Sequence, residues 1–245
     1  MTPSDARITL ACLELSSLGE DDTPAVVAAL ARRAFTPYGT PSTICVYPEL
    51  LLATRMSLMR EGIAQVRLAA VINFPDGSGD AERVERETRR AVAAGANEIN
   101  LLFPAQFLPN DDRASAQLLV ARAKARCGKA GLKVILDSAT LADPATLRAA
   151  ADAAIAGGAD FLMLSSRSGS AAFDCIAGAI AAAARPVGLA VFGNIDSLAQ
   201  ASVYIGLASK LFGRERVVPA RFRIASNPLL DALLPVLATE PPDDG

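Results

Sequence analysis

The stretch AVAAGANEINLLF (91–103) is echoed by AAIAGGADFLMLS (153–165) further along the chain. Each contains, in order, the end of an alanine-rich helical pattern, a turn of small residues, an acidic residue and a short apolar run typical of a buried strand. A helix–turn–strand unit that recurs along one chain favours a parallel sheet whose strands are joined by helices.

Similar apolar runs alternate with helical patterns along the whole sequence and predict eight strands. These are 8–15, 43–47, 66–73, 98–103, 133–137, 161–165, 186–191 and 221–225. The best-defined helical pattern covers 80–94, and helices are also expected to begin at Thr23-Pro24, Asp143-Pro144 and Asn227-Pro228, where a capping side chain precedes a proline. Eight strand–helix units in 245 residues predict an α/β fold, a (β/α)₈ TIM barrel forming a single domain over 1–245 with a frayed tail at 240–245.

The alternative architecture is an open, doubly wound sheet. That fold usually places a glycine-rich phosphate loop after its first strand. The corresponding segment here, LELSSLGEDDT (13–23), is not such a loop. The closed barrel is therefore favoured.

Composition restricts the partners of the chain. The formal net charge is −2, and the basic residues are scattered singly, which argues against binding to nucleic acid or to an anionic membrane surface. No uncharged apolar run reaches the length of a membrane span, and the N-terminus lacks the pattern of a signal peptide. The four cysteines are far apart and form no CxxC pair, so we expect free thiols in a cytoplasmic protein.

The sequence contains no histidine. This removes imidazole as a general base and as a ligand, and with it most zinc sites, so neither a metal nor a cofactor is expected. Chemistry that needs an amine is limited to Lys124, Lys129, Lys133 and Lys210. The first two are expected on the polar face of a helix and Lys210 at a helix end. Lys133 begins the fifth strand, at the end of the barrel away from the expected active site, where an ion pair with Glu98 is predicted.

Active sites of such barrels lie at the carboxyl ends of the strands. The polar residues predicted there are Glu14, Tyr47, Asn73, Asn100, Asp137, Ser165, Ser166, Arg167 and Arg223. Any one of them alone could equally be a loop cap or a solvated surface residue.

Several ordered motifs of the chain resemble those of the deoxyribose-phosphate aldolase family. They are ICVYPE (44–49), VRLAAVINFPDG (66–77), ETRRAVAAGANEINLLFP (87–104), LKVILD (132–137), AGGADFLMLSS (156–166), PVGLAVFGNI (186–195), KLFG (210–213) and RFRIAS (221–226). The resemblance covers essentially the whole chain. It implies a (β/α)₈ barrel and a Schiff-base aldolase that joins acetaldehyde to glyceraldehyde 3-phosphate.

The catalytic residues that the resemblance implies are mostly replaced. Met163 stands where the family has the Schiff-base lysine, Ala190 where it has the lysine that lowers the pKa of the first, and Asn100 where it has a proton-relay aspartate. Only the acidic position of the first strand is kept, as Glu14. A Schiff base needs an unprotonated primary amine, and an amide side chain cannot exchange protons as a carboxylate does.

The phosphate-binding turns that the resemblance implies are partly kept. Gly193 and Ser226 match them, whereas Asn194 replaces a usual glycine and Asp196 a common basic residue. Arg167 and Arg223 could compensate, with Ser165 and Ser166 beside them, or both arginines could point to solvent.

These features lead to two interpretations of function. The first is a noncatalytic homologue that binds a small phosphorylated or polar ligand, or a partner protein. The second is an enzyme with lysine-independent chemistry in the same barrel mouth, with Glu14 as acid or base. Residual aldolase activity by another route is the remaining alternative. Family resemblance also suggests a homodimer.

Overall fold

The computed structural model describes residues 1–137 and 140–239. Its eight parallel strands form a closed barrel in chain order. They are β1 (Leu13–Ser17), β2 (Thr43–Val46), β3 (Arg67–Ile72), β4 (Glu98–Leu102), β5 (Gly131–Leu136), β6 (Phe161–Ser165), β7 (Gly188–Phe192) and β8 (Phe222–Ala225). The predicted TIM barrel is confirmed, and the predicted tail at 240–245 lies outside the described residues.

Helices surround the barrel. They are α1 (Pro3–Ala11), α2 (Pro24–Ala34), α3 (Leu51–Arg60), α4 (Ala81–Ala93), α5 (Arg113–Cys127), α6 (Pro144–Ala156), α7 (Gly169–Ala182), α8 (Leu198–Phe212) and α9 (Pro228–Leu237). Among the described residues, no helix combines the length and the apolar character needed to cross a membrane.

Side chains of each strand alternate between two packing layers, because successive residues of a strand point to opposite faces. Leu13 and Leu15 of β1 pack in the large core between barrel and helices. Cys45, Ala69 and Val71 form a smaller apolar cluster on the opposite, inner face. The inner face therefore carries Glu14 of β1, and the same alternation determines which polar residues reach the barrel interior.

The predicted first strand, 8–15, is wrong in its first half. Residues up to Ala11 form α1, which begins after Thr2, and the Thr2 side chain accepts a hydrogen bond from the Asp5 backbone N–H. Pro3 occupies the first turn of the helix. This is the same cap-and-proline signature that predicts α2. An apolar run as short as ITLACLEL does not by itself distinguish strand from helix.

Two of the three predicted helix caps are confirmed, at Thr23 and Asp143. The helix predicted at 80–94 is α4, which Asp80 caps. Asn227 does precede α9, but its side chain makes no cap bond and instead bonds the backbone of Ser16.

Candidate functional site at the barrel mouth

A cavity of about 610 Å³ opens at the carboxyl ends of the strands. Inner-face side chains of all eight strands line it: Glu14, Cys45, Val71, Asn100, Ile135, Met163, Phe192 and Ala225. The loops after β7 and β8 complete the wall with Gly193, Asn194, Asp196 and Ser226. Its position is the one at which active sites of these barrels lie.

Asn100 and Glu14 are in direct contact beside this cavity. The Asn100 amide Nδ2 donates to Glu14 Oε1 at 3.0 Å and contacts Cys45 Sγ at 3.2 Å. Asn100 Oδ1 is buried and has no hydrogen-bond partner within the described part of the chain. The mouth thus contains one acceptor that a ligand hydroxyl can satisfy. The contact with Cys45 follows from strand alternation, although the motifs alone did not single out this cysteine.

Lys133 extends from β5 into the barrel interior and pairs with two carboxylates. Its ammonium bonds Glu14 Oε2 and lies 3.6 Å from Glu98 Oε2. The predicted ion pair with Glu98 is therefore confirmed, and Glu14 is a partner that the sequence interpretation missed. Burial by itself would lower the pKa of Lys133, but the charges of Glu14 and Glu98 outweigh it and raise that pKa. The amine is protonated at neutral pH.

Met163 and Ala190 are Cα partners of adjacent strands, β6 and β7. Met163 is buried and lines the cavity. Ala190 is also buried and shares the inner face with Phe192, which lines the cavity, so all three substituted positions point inward. Asn100, two strands from Met163, lines the same cavity.

The structure explains why glycine and serine occupy the turns that were expected to hold phosphate. Gly193 has φ +117°, and a Cβ atom built on it would lie 2.7 Å from Ser166 Oγ, so glycine is required there. Ser226 Oγ donates to the Ile195 carbonyl at 2.6 Å and accepts from the Leu229 N–H at 3.3 Å. Ser226 therefore ties the loop after β7 to the start of α9. Ser165 Oγ accepts a hydrogen bond from the Arg167 backbone N–H.

Neither predicted arginine lines the mouth cavity. Arg167 is exposed on a short 3₁₀ helix after β6. The prediction that Arg223 lies at the carboxyl ends of the strands is wrong. Arg223 lies in the barrel interior and donates through Nη2 to Glu98 Oε1 at 2.7 Å. It lines a second cavity, which Gly193 does not. The structure does not bring Arg223 to the turn at Gly193, because an inner-face residue so early in β8 lies below the mouth.

Other predicted mouth residues also have structural partners. Asn73 is buried, and its amide donates to the backbone carbonyls of Ser78 and Leu102, each at 3.0 Å, so it fixes the loop after β3. Tyr47 packs beside Phe74 with ring centroids 6.3 Å apart and lies outside the main cavity. Asp137 does line the cavity.

Comparison with known proteins agrees with this architecture. The family model described as DeoC/LacD family aldolase matches residues 9–167. A deoxyribose-phosphate aldolase of Agrobacterium fabrum is 35% identical over 239 residues, covering 95% of this chain and 92% of the relative.

Solved structures show the same fold. A protein of Toxoplasma gondii assigned as a deoxyribose-phosphate aldolase superposes with a TM-score of 0.87 at 25% identity, covering 98% of both chains. The deoxyribose phosphate aldolase of Aeropyrum pernix superposes with a TM-score of 0.69 at 21% identity, over 96% of this chain and 91% of that one. On the evidence of the family match and the identity to its Agrobacterium relative, the chain belongs to the DeoC/LacD family of aldolases.

Proposed function

We propose that this chain is a noncatalytic member of its family that binds a small, uncharged polar molecule in the barrel mouth. The observation that carries the proposal is the lining of the cavity: Met163 occupies the position at which a Schiff-base lysine is expected, and no lysine lines the cavity among the described residues. A Schiff base cannot form without an amine.

The lysine that does reach the barrel interior does not replace the missing one. Lys133 is 1% exposed and is held between Glu14 and Glu98. These carboxylates keep its amine protonated, and a protonated amine is not a nucleophile. Lys124 is paired with Asp160 away from the mouth.

Charge at the mouth favours an uncharged ligand over a phosphate ester. Asp137 and Asp196 line the cavity, and no arginine or lysine of the described chain does. A phosphate brought to this cavity would meet these carboxylates and no basic side chain of the described lining. The unpartnered Oδ1 of Asn100 instead suits a hydroxyl donor.

A second candidate function is proton transfer by Glu14 in a reaction that needs no covalent lysine. It is favoured by the fact that Glu14 lines the cavity while its carboxylate contacts the Lys133 ammonium. Turnover of a small hydroxyaldehyde that is lost in Glu14→Gln would support this candidate and would contradict the noncatalytic one.

Thermal unfolding with millimolar 2-deoxyribose or 2-deoxyribose 5-phosphate tests the binding proposal. The free sugar should raise the Tm saturably, and Ala225→Phe, which places a bulky ring in the cavity, should abolish the rise. Ala29→Phe, on the exposed face of α2, is the matched control and should leave it intact. The proposal fails if the sugar has no effect on the native protein, or if the phosphate ester gives a larger rise that also depends on Ala225.

A further inference from the structure

A second cavity, of about 370 Å³, lies around the amino-terminal ends of β4, β5 and β6, at the opposite end of the barrel from the mouth. Its charged lining consists of Arg67, Glu98, Lys133 and Arg223, with the Phe161 ring beside them. No step of the proposed function uses this cavity.

Positive charge exceeds negative charge there. Arg67 and Arg223 both donate to Glu98 Oε1, each at 2.7 Å. Lys133 lies near the other oxygen of Glu98 but also bonds Glu14. Three cations therefore share two carboxylates, which leaves one positive charge without a counterion in this group.

Arg223 has donors that nothing in the described chain accepts. It is 3% exposed, and its Nε and Nη1 have no hydrogen-bond partner. The ring of Phe161 lies 5.8 Å from the guanidinium carbon and offers no oxygen acceptor. Buried charged donors without acceptors are costly and rare in folded proteins. A group with negatively charged oxygens would satisfy both nitrogens and the excess charge together.

We propose that this cavity is a binding site for a small oxyanion, a phosphate or carboxylate group, held chiefly by Arg223. The side chain of Arg67 is about half exposed, at 47%, and stands where solvent reaches the cavity. Arg67 therefore places a positive charge at the opening through which an anion would enter the cavity. The site is separate from the mouth, and it stands or falls independently of the proposed function.

Titration with inorganic phosphate, against sodium chloride at equal ionic strength, tests the site. Phosphate should bind saturably in calorimetry and raise the Tm of the native protein, whereas chloride should not. Arg223→Lys keeps the charge but removes the guanidinium donors, and we expect phosphate to bind about ten-fold more weakly or worse. Acetate in place of phosphate distinguishes a carboxylate site from a phosphate site.

Two further variants fix the location. Ala225→Phe, in the mouth, should bind phosphate like the native protein, and Arg216→Gln removes an exposed arginine outside the cavity and should do the same. Chemical unfolding shows whether Arg223→Lys is folded; if it is not, Arg67→Gln at the half-exposed entrance must weaken phosphate binding instead. The proposal is overturned if neither phosphate nor acetate binds the native protein, or if both bind equally to the native and variant proteins.

Discussion

Glu98 is the carboxylate on which three basic side chains converge. Burial alone would raise its pKa, but Lys133, Arg223 and Arg67 together outweigh that effect and lower the pKa from 4.5 to about 2. A carboxyl group with a lowered pKa in the folded state stabilises that state at any pH above its unfolded value. The stabilisation is lost as the pH falls from about 4.5 towards 2.

We therefore expect a steep loss of stability in acid that depends on this residue. The shift of Glu98 corresponds to roughly 3 kcal/mol of the free energy of unfolding. In Glu98→Gln the protein should be less stable at pH 7, and its stability should change less between pH 5 and pH 2.5. Urea unfolding followed by circular dichroism across this range measures both effects.

The matched control is Glu215→Gln. Glu215 is exposed, with only a distant contact to Arg216 at 3.9 Å, so its removal should leave the pH profile unchanged. Parallel profiles for the native protein and Glu98→Gln would show that Glu98 is not the group that titrates.

Strand alternation alone predicted that Lys133 and Glu98 approach each other. It did not predict that Glu14 joins them, because the match between residues across a closed barrel depends on the strand stagger. Nor did it show that Arg223 belongs to the same group. Sequence motifs locate a residue on its strand, but the depth of its side chain in the barrel follows from the register of all eight strands.

At the scale of elements, Asn227 joins the first and last strand–helix units. Its side chain accepts from the Ser16 N–H at 2.8 Å and donates to the Ser16 carbonyl at 2.7 Å. The two bonds hold the carboxyl end of β1 against the start of α9. They close the wall of the mouth between the first strand and the last helix.

Asn227→Ala should lower the free energy of unfolding by about 1–3 kcal/mol, since both bonds to Ser16 are lost. Asn194→Ala is the control, because Asn194 is exposed in the loop after β7, and its removal should change stability by no more than about 0.5 kcal/mol. Denaturant unfolding of the two variants compares them directly. Equal effects would contradict the structural role assigned to Asn227.

The sequence predicted the second to eighth strands within two residues, because buried parallel strands are short apolar runs separated by strong helix signals. The first element is the exception. Ile8 to Leu10 belong to α1, and the helix packs on α8 and α9. The apolar run favours a strand as much as a helix, because its burial signal is the same in either conformation. The capping pair Thr2-Pro3 was the local signal that distinguishes them.

At the scale of the molecule, the family's chemistry depends on residues from several strands meeting in one cavity. Asn100 of β4, Met163 of β6 and Ala190 of β7 all face the interior, so the barrel still brings these positions together. The fold and the mouth could therefore be predicted from the sequence. The ligand could not, because the lining charges that select it depend on which loop residues turn inward, as Asp196 does and Arg167 does not.

This arrangement predicts whether returning the family's catalytic residues to these positions gives aldolase activity. Borohydride reduction of the native protein with acetaldehyde should give no site-specific lysine adduct, and cleavage of 2-deoxyribose 5-phosphate should remain at background. Met163→Lys alone should also remain inactive, since it gains an amine without the neighbouring cation that lowers its pKa. Met163→Lys, Ala190→Lys and Asn100→Asp together should give the highest turnover of the series with 2-deoxyribose, the uncharged sugar that the mouth favours, because Met163 and Ala190 are paired across adjacent strands.

Mass spectrometry of the reduced proteins decides between the outcomes. Asn100→Asp places a second carboxylate against Glu14, which lies 3.0 Å from the present amide, and like charges this close raise the pKa of one partner. Lys133→Met in the native background is the control for trapping. A stoichiometric adduct on the native protein that disappears in Lys133→Met would show that Lys133 is a working Schiff-base lysine and that the noncatalytic assignment is wrong.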